Sequence, residues 1–218
     1  MESPGPTGVL YGLDSATNYL HRINRLTGES TPVGFMGVDV VEGDIAFNPI
    51  DGLLYGTQSN GGDRLYTINT QTGHATIIGT IIQNGDISGM AFGPDGTLYC
   101  FDTQNAQVYT VDPTSGQILT SISLVGDILP TSNISTAGLS VDPDTGRLYM
   151  VSDFFLPTGV NPLYWITTSN GFLRSVGNQG TGLPQGTQLS GLAFVPEPSS
   201  LALICVGSIT LLTRRRRR

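Results

Sequence analysis

Aspartate is the residue type in this chain with the widest scope for chemistry, because other reactive side chains are few. Among 218 residues, 17 are acidic and two are histidine, and all 10 basic residues are arginine. A chain without lysine offers no Schiff-base nucleophile and no Walker-type phosphate lysine. His21 and His74 occupy non-equivalent places and have no evident third partner for a zinc site. We therefore expect no catalytic residue, no metal site and no cofactor.

The aspartates stand at recurring places beside short apolar runs and in turns. They include Asp44 and Asp86 before apolar runs, Asp51, Asp95 and Asp144 in Pro- and Gly-containing turns, and Asp14 and Asp102 three residues after a tyrosine. Turn aspartates usually accept hydrogen bonds from nearby backbone amides, so this is their expected role. Calcium needs six or more converging oxygens, and no loop has a dense Asp-x-Asp pattern. Calcium binding is therefore the less favoured role for these aspartates.

A repeat of about 44–50 residues positions these side chains. Its marker is a Leu-Tyr pair whose tyrosines, Tyr11, Tyr55, Tyr99 and Tyr149, are spaced by 44, 44 and 50 residues. Each full copy has an apolar run (strand A), a polar turn, the Leu-Tyr run (strand B), a Tyr-x-Ile run (strand C), a turn ending in Gly and a last short run (strand D). The runs alternate with period two, which predicts strands, and their Asp-Gly and Asn-Gly turns favour hairpins.

The repeat predicts an all-β fold, a β-propeller with about four visible four-stranded blades in residues 1–194. One unit cannot bury both of its faces, so the units must stack around an axis. A two-sheet sandwich would not require a repeat. The body begins at a strand B, residues 9–14, and ends at a strand A, residues 188–194. We expect this last strand to complete the first blade, although further blades upstream remain an alternative.

Composition and charge exclude other classes of protein. The 29 glycines and 13 prolines argue against a helical bundle. Without its last five residues the chain has five arginines against 17 acidic residues, a net charge of −12, which excludes nucleic acid as a partner. Cys100 lies in a strand-like run and is expected to be a buried, inert thiol. Cys205 lies in an apolar tail, so the two cysteines are not expected to pair.

The tail, residues 195–218, has three parts in a fixed order. The tripeptide Pro196, Glu197 and Pro198 is followed by an apolar segment over residues 201–212 and then by basic residues. The apolar segment contains Leu201, Leu203, Ile204, Val206, Ile209, Leu211 and Leu212, and the basic residues are Arg214, Arg215, Arg216, Arg217 and Arg218. This pattern predicts a single transmembrane helix of marginal length whose arginines stay on the cytoplasmic side.

The tail resembles the PEP-CTERM sorting signal of exopolysaccharide-producing Gram-negative bacteria in all three parts. This resemblance implies recognition by exosortase, a membrane-embedded cysteine transpeptidase-like enzyme that cuts near the tripeptide. It also implies an exported protein that the C-terminal helix anchors in the inner membrane before processing, and that then reaches the cell surface or the extracellular matrix. Residues 1–6 lack the basic and apolar regions of a signal peptide, so we expect an upstream segment that supplies one.

The body more loosely resembles secreted bacterial propellers, a resemblance that supports the fold without transferring an activity. We expect a non-enzymatic exported protein whose propeller is a binding module, with exopolysaccharide or matrix components as candidate ligands. One alternative is a plain tail anchor that is never processed. Another is a secreted propeller enzyme, a lactonase-like or lyase-like hydrolase with a metal in the axial channel. Against this enzyme, apolar residues fill the strand A positions expected to line the channel: Ile45, Met90, Leu139 and Leu192.

Overall fold

The structure is a computed structural model that describes residues 9–41, 43–58, 62–126, 137–152 and 162–178. These residues form sixteen β-strands in four sheets, and these ranges contain no helix. Sheet I contains β1 (Leu10–Asp14), β2 (Tyr19–Ile23) and β3 (Ser30–Phe35). Sheet II contains β4 (Ile45–Phe47), β5 (Leu54–Gln58), β6 (Asp63–Ile68) and β7 (Ala75–Ile82). Sheet III contains β8 (Ile87–Phe92), β9 (Leu98–Asp102), β10 (Gln107–Val111) and β11 (Ile118–Ser123). Sheet IV contains β12 (Val125–Gly126), β13 (Ala137–Val141), β14 (Leu148–Ser152), β15 (Pro162–Thr167) and β16 (Phe172–Asn178).

Apart from β12, the strands of each sheet form an antiparallel meander in which sequential strands are neighbours. The predicted strands A, B, C and D are β4 to β7 in sheet II, β8 to β11 in sheet III and β13 to β16 in sheet IV. Sheet I supplies strands B, C and D, so three strands of the first repeat lie in the described part of the chain. The predicted four-strand repeat is therefore confirmed in sheets II, III and IV.

The turn between strands C and D shows why the Asn-x-x-Thr-Gly phrase recurs. In sheet II the side-chain oxygen of Asn69 accepts hydrogen bonds from the backbone N–H groups of Gln71 and Thr72, at 2.9 and 3.1 Å. The N–H of Gly73 donates to the carbonyl oxygen of Asn69, at 2.8 Å, with the glycine at a φ of +78°. Such a left-handed backbone conformation carries little cost only for glycine. The sequence phrase thus specifies one complete turn.

The hydrophobic core lies between the sheets, because both faces of sheets II and III are buried. Leu54 on β5 packs in the cluster between sheets I and II, and its neighbour Tyr55 packs in the cluster between sheets II and III. Cys100 and Phe101 on β9 divide in the same way between the clusters on the two sides of sheet III. Successive strand residues point to opposite faces, so sheets II and III are each an inner layer of the stack.

The strands A lie side by side, since β8 packs against both β4 and β13. The turns between strands A and B of sheets II and III also meet, because a Cβ added at Gly96 would lie 2.9 Å from Cγ1 of Ile50. We call this end of the stack the A–B turn end. The opposite end carries the turns between strands B and C, together with the connections that lead from one sheet into the next.

One strand differs from the sequence expectation, and two predicted elements lie outside the described residues. Strand β12 pairs in parallel with β16, which the repeat did not predict. This happens because the chain leaving β11 runs along the open edge of the next sheet, where the N–H of Val125 donates to the carbonyl oxygen of Gly171 at 2.9 Å. The closing strand predicted at residues 188–194 and the helix predicted at residues 201–212 lie outside the described residues.

Candidate functional site

Three aspartates meet at the junction of sheets II and III, at the end opposite the A–B turns. Asp63 begins β6, Asp102 ends β9, and Asp86 directly precedes β8. The side chains of Asp63 and Asp102 are fully buried, at 0% exposure. Burying carboxylates is costly unless each is paired, protonated or hydrogen-bonded. The three aspartates are therefore the most unusual group of ionisable side chains in the described part of the chain.

Asp102 is well supplied with hydrogen-bond donors. Its Oδ2 accepts from the Asn105 side chain at 2.7 Å and from the Tyr109 hydroxyl at 3.0 Å. Its Oδ1 accepts from the backbone N–H groups of Asn105 and Asp86, at 3.1 and 3.2 Å. One carboxylate thus fixes the turn between β9 and β10 and also holds the segment that leads from sheet II into sheet III.

Asp63 is less completely satisfied. Its Oδ1 accepts from the backbone N–H of Ile87 at 3.1 Å, which links sheet II to β8, whereas its Oδ2 is buried without a hydrogen-bond partner among the described residues. Burial raises the pKa of this carboxyl to about 6, and the nearby charges of Asp86 and Asp102 act in the same direction. A Cβ at Gly85 would lie 3.1 Å from this Oδ2 and 2.9 Å from Oδ2 of Asp102, so both oxygens face the glycine.

Asp86 has a comparable unpaired atom. Its Oδ2 accepts from the Thr103 hydroxyl at 3.0 Å, but its Oδ1 is buried without a hydrogen-bond partner in the described ranges.

Asp44 provides a second link between sheets II and III. Its Oδ2 accepts from the backbone N–H of Met90 at 2.9 Å, and burial raises its pKa to about 6. Two carboxyls of sheet II therefore bind backbone amides of the innermost strand of sheet III.

The aspartates at this junction can bind protons and can link sheet II to sheet III. Within the described ranges, no group of three or more His, Cys, Asp or Glu side chains is placed to bind a metal ion. The carboxyls mostly face backbone N–H groups, as carboxyls that stabilise a protein interior do. The geometry supports a structural, proton-binding junction.

Two of the turn aspartates singled out from the sequence, Asp51 and Asp95, have the role expected of them, whereas in the corresponding turn of sheet IV the acceptor of backbone N–H groups is Asp142 and not Asp144. Asp51 and Asp95 accept backbone N–H groups within their own turns, from Leu53 at 2.9 Å and from Thr97 at 3.0 Å. Asp51 also accepts a hydrogen bond from the hydroxyl of Tyr55 at 2.7 Å. The pKa of Tyr55 is raised to about 12, mainly by desolvation and to a smaller extent by this hydrogen bond. The expectation that turn aspartates bind nearby backbone is confirmed at these positions.

The reactive side chains found in the sequence are held in structural settings. His21 lies in β2, where its Nδ1 is 2.7 Å from the Ser30 hydroxyl and its Nε2 is 3.9 Å from Asp14. Cys100 is a free, buried thiol whose pKa is raised by burial. Met90 and Leu139, predicted to face the axis, are buried apolar residues. The sequence reasoning did not single out Asp63, because other copies of the repeat have no acidic residue at its position: Ala106 stands there in sheet III.

The predicted sorting residues lie outside the described residues. They are Pro196, Glu197 and Pro198, the apolar residues from Leu201 to Leu212, and Arg214 to Arg218. In the part of the chain that is described, no helix has the length and hydropathy needed to cross a membrane. The roles of the sorting residues therefore stay predictions.

The repeated antiparallel sheets, stacked with their strands A together, define an all-β, propeller-like protein. Residues 44–194 match the family described as "Repeat of unknown function (DUF6923)", and the chain belongs to this family. Residues 194–218 match the PEP-CTERM protein-sorting motif, so the resemblance of the tail is confirmed. The motif implies export and a membrane-anchored precursor that exosortase processes. None of the curated proteins matches this chain.

Solved structures similar to this chain are β-propellers. A structural-genomics protein of unknown function from Bacteroides thetaiotaomicron aligns with a TM-score of 0.56 at 16% identity, over 79% of this chain and 42% of its own. The PQQ-bound aldose sugar dehydrogenase from Streptomyces coelicolor aligns with a TM-score of 0.54 at 18% identity, over 88% and 70%. The virginiamycin B lyase of Staphylococcus aureus, in an inactive form with quinupristin, aligns with a TM-score of 0.54 at 20% identity, over 87% and 57%. This chain thus spans less than half the length of the first structure, and these likenesses show the fold alone.

Proposed function

We propose that this protein is a non-enzymatic surface or matrix protein that exosortase cleaves at its C-terminal signal, with the propeller-like body as its binding module. The observation that carries the proposal is the sorting motif at residues 194–218, which follows the repeat family at residues 44–194 without a linker. A signal in this position delivers the folded repeat body as the exported product. Exopolysaccharide or matrix components are the proposed ligand class.

The contacts of the body support a binding rather than a catalytic role. Apolar Met90 and Leu139 occupy the inner strands, and one oxygen each of Asp44 and Asp63 accepts a hydrogen bond from a backbone amide of β8. Enzymes among the similar structures share only the fold with this chain, and one fold hosts many activities. The enzymatic alternative requires metal-dependent turnover that is lost when Asp and Asn residues at the channel mouth are replaced. We expect no such turnover from the purified body.

The experiment compares processing of two chains in an exosortase-bearing host. We expect the wild-type protein to lose roughly its last 20 residues and to leave the membrane fraction. The triple variant Pro196→Ala, Glu197→Ala, Pro198→Ala should remain full-length and membrane-retained, because prolines disfavour helix on their N-terminal side and keep the cleavage segment extended. A matched control is Pro49→Ala, which changes a proline of the repeat and should leave processing intact. Equal mass and equal membrane fraction for wild type and triple variant would overturn the proposal in favour of a plain tail anchor.

A further inference from the structure

The sorting motif occupies the register of a repeat turn. In every copy of the repeat, the sequence expected for strand A ends in Phe or Val, one residue follows, and then a proline. The four copies are Phe47-Asn48-Pro49, Phe92-Gly93-Pro94, Val141-Asp142-Pro143 and Phe194-Val195-Pro196. In two of the described copies an aspartate follows the proline directly, Asp95 and Asp144, and in the tail this residue is Glu197. The first two residues of the Pro-Glu-Pro tripeptide therefore match the start of an A–B turn.

The described copies complete this turn with a glycine that the tail lacks. Gly52, Gly96 and Gly146 have φ values of +74°, +82° and +67°. Their N–H groups donate to the carbonyl oxygens of Asn48, Gly93 and Asp142, at 3.0, 3.0 and 2.8 Å. These glycines stand two or three residues after the turn proline, where the tail has Pro198 and Ser199. Proline has φ fixed near −65° and no N–H, so Pro198 cannot close the turn in the register of Gly96. In the register of Gly52 and Gly146 the tail has Ser199, and a positive φ is costly for a residue with a Cβ.

The location of the A–B turns gives this replacement a geometric consequence. The turns of sheets II and III contact each other through Gly96 and Ile50, at the end of the stack opposite Asp63 and Asp102. From residue 195 to residue 200 the chain reaches at most about 20 Å when fully extended. A compact domain of this length is roughly 40 Å across. The register of the repeat assigns the start of this tether to the A–B turn end, and a tether this short would keep that end next to the bilayer.

We propose that the sorting motif takes the place of an A–B turn in the repeat sequence and lacks the glycine that closes it, so that the precursor faces the membrane and exosortase with its A–B turn end and presents the end carrying Asp63, Asp86 and Asp102 outward. This inference rests on the proposed function, because it requires a membrane-anchored precursor. It assigns the A–B turn end as the surface beside the membrane. The outward end is the one left accessible to a ligand while the precursor is anchored.

Variants of the full-length precursor that each gain one cysteine, in a host without exosortase, test the orientation. Ile50→Cys and Asp144→Cys lie in A–B turns, and Ala16→Cys and Gln104→Cys lie in turns between strands B and C; all four positions are exposed. The probe is a membrane-impermeant, polymer-linked maleimide applied to the outer side of the membrane. The parent chain, whose described cysteine is buried, gives the background. The same variants in detergent correct for intrinsic thiol reactivity.

We expect the A–B turn positions to react at least about five-fold more slowly than the other two in membranes, because the bilayer excludes the polymer. In detergent the four rates should agree within about two-fold, since tethering then no longer applies. A flexible Gly-Ser insert of about 20 residues between Ser199 and Ser200 should remove the difference by lengthening the tether. Equal rates in membranes, or slower reaction at Ala16→Cys and Gln104→Cys, would overturn the orientation.

The outcomes separate this inference from the proposed function. If the wild type is cleaved normally in the exosortase-bearing host but the anchored precursor is labelled uniformly, only the proposed orientation is overturned. A wild type and a triple variant with the same mass and fractionation remove the processing proposal, whatever the labelling shows. A precursor absent from the membrane fraction overturns both.

Discussion

The carboxylate of Asp44 accepts a hydrogen bond from the backbone N–H of Met90 at 2.9 Å, across 46 positions of the sequence. In sheets III and IV the position of Asp44 is taken by Gly89 and Gly138, as the pairing of strands A with strands B shows. A side chain present in one described copy of the repeat therefore binds the innermost strand of the next sheet. A second carboxylate, that of Asp63, accepts from the N–H of Ile87. Two carboxylates of sheet II are therefore hydrogen-bonded to β8 at the junction of sheets II and III.

The first prediction concerns the pH dependence of stability. Asp63 has an ordinary pKa of 3.8 that is raised to about 6 in the folded protein. Between these values Asp63 therefore binds more protons in the folded protein than in the unfolded chain, and its contribution to the free energy of unfolding falls as pH rises through that window. Asp63→Asn keeps an oxygen for the N–H of Ile87 but cannot ionise. It should reduce this fall by on the order of 1 kcal/mol, measured by urea unfolding from pH 4 to pH 8.

Asp95→Asn is the matched control for this pH experiment. Hydrogen bonds from Thr97 lower the pKa of Asp95, so its contribution to stability is lost only as pH falls below its ordinary range. The control should therefore leave the slope near pH 6 unchanged. An Asp63→Asn variant with the same slope as wild type would show that the carboxyl of Asp63 does not titrate in this window.

A second prediction concerns the close approach of sheets II and III at their outer strands. A Cβ at Gly79 on β7 would overlap the backbone carbonyl oxygen of Ser115, in the turn between β10 and β11. Gly79→Ala should destabilise the protein by about 2–3 kcal/mol, because backbone must move to admit the methyl group. Thermal unfolding should show a Tm lower by several degrees, at roughly 2–4 °C per kcal/mol.

The control for Gly79→Ala is Gly12→Ala in β1. There the added Cβ would lie 3.0 Å from Cδ1 of Ile23, the tip of a flexible side chain that can shift. We expect a loss of less than about 1 kcal/mol for this variant. Equal losses at the two glycines would contradict the assigned contact between β7 and the neighbouring turn.

The third prediction concerns Asp102. Removing its carboxylate by Asp102→Ala leaves Asn105, Tyr109 and the N–H of Asp86 without their acceptor. We expect a loss of about 3 kcal/mol, since buried hydrogen bonds to charged groups contribute about 1.5–3 kcal/mol. Asp112→Ala removes a turn aspartate whose hydrogen bonds stay within its own turn, and should destabilise the protein clearly less than Asp102→Ala. Chemical denaturation of both variants measures the difference, and similar losses would argue against a bridging role for Asp102.

The last prediction concerns the arginines at positions 214–218. Because the apolar segment of residues 201–212 is marginal in length, we expect the arginines to hold it in the membrane with the body outside. Changing all five to serine should move the unprocessed chain from the membrane fraction to the soluble exported fraction. Changing all five to lysine keeps the charge and should keep the chain in the membrane. Full membrane retention of the serine variant would show that the apolar segment alone anchors the chain.

The sequence by itself determined the repeat, the strands and the sorting motif, because each depends on local chemistry. Alternating apolar residues specify strands, the Asn69 turn closes within five residues, and the Pro-Glu-Pro tail is recognised as a linear motif. It also assigned Asp51 and Asp95 to their turns, because an aspartate in a turn binds amides two residues away. Such features need no knowledge of which sheets become neighbours.

Only the tertiary structure decided which buried side chains cross from one sheet to the next. The repeat aligns Asp63 with Ala106 and Asp44 with Gly89. The other copies of the repeat therefore do not indicate what either carboxyl binds. Their partners, the backbone amides of Ile87 and Met90, are 24 and 46 residues away and are brought close by the stacking of sheets II and III. The raised pKa values of Asp44 and Asp63 follow from that burial, since desolvation depends on everything packed around a carboxyl and not on its neighbours in sequence.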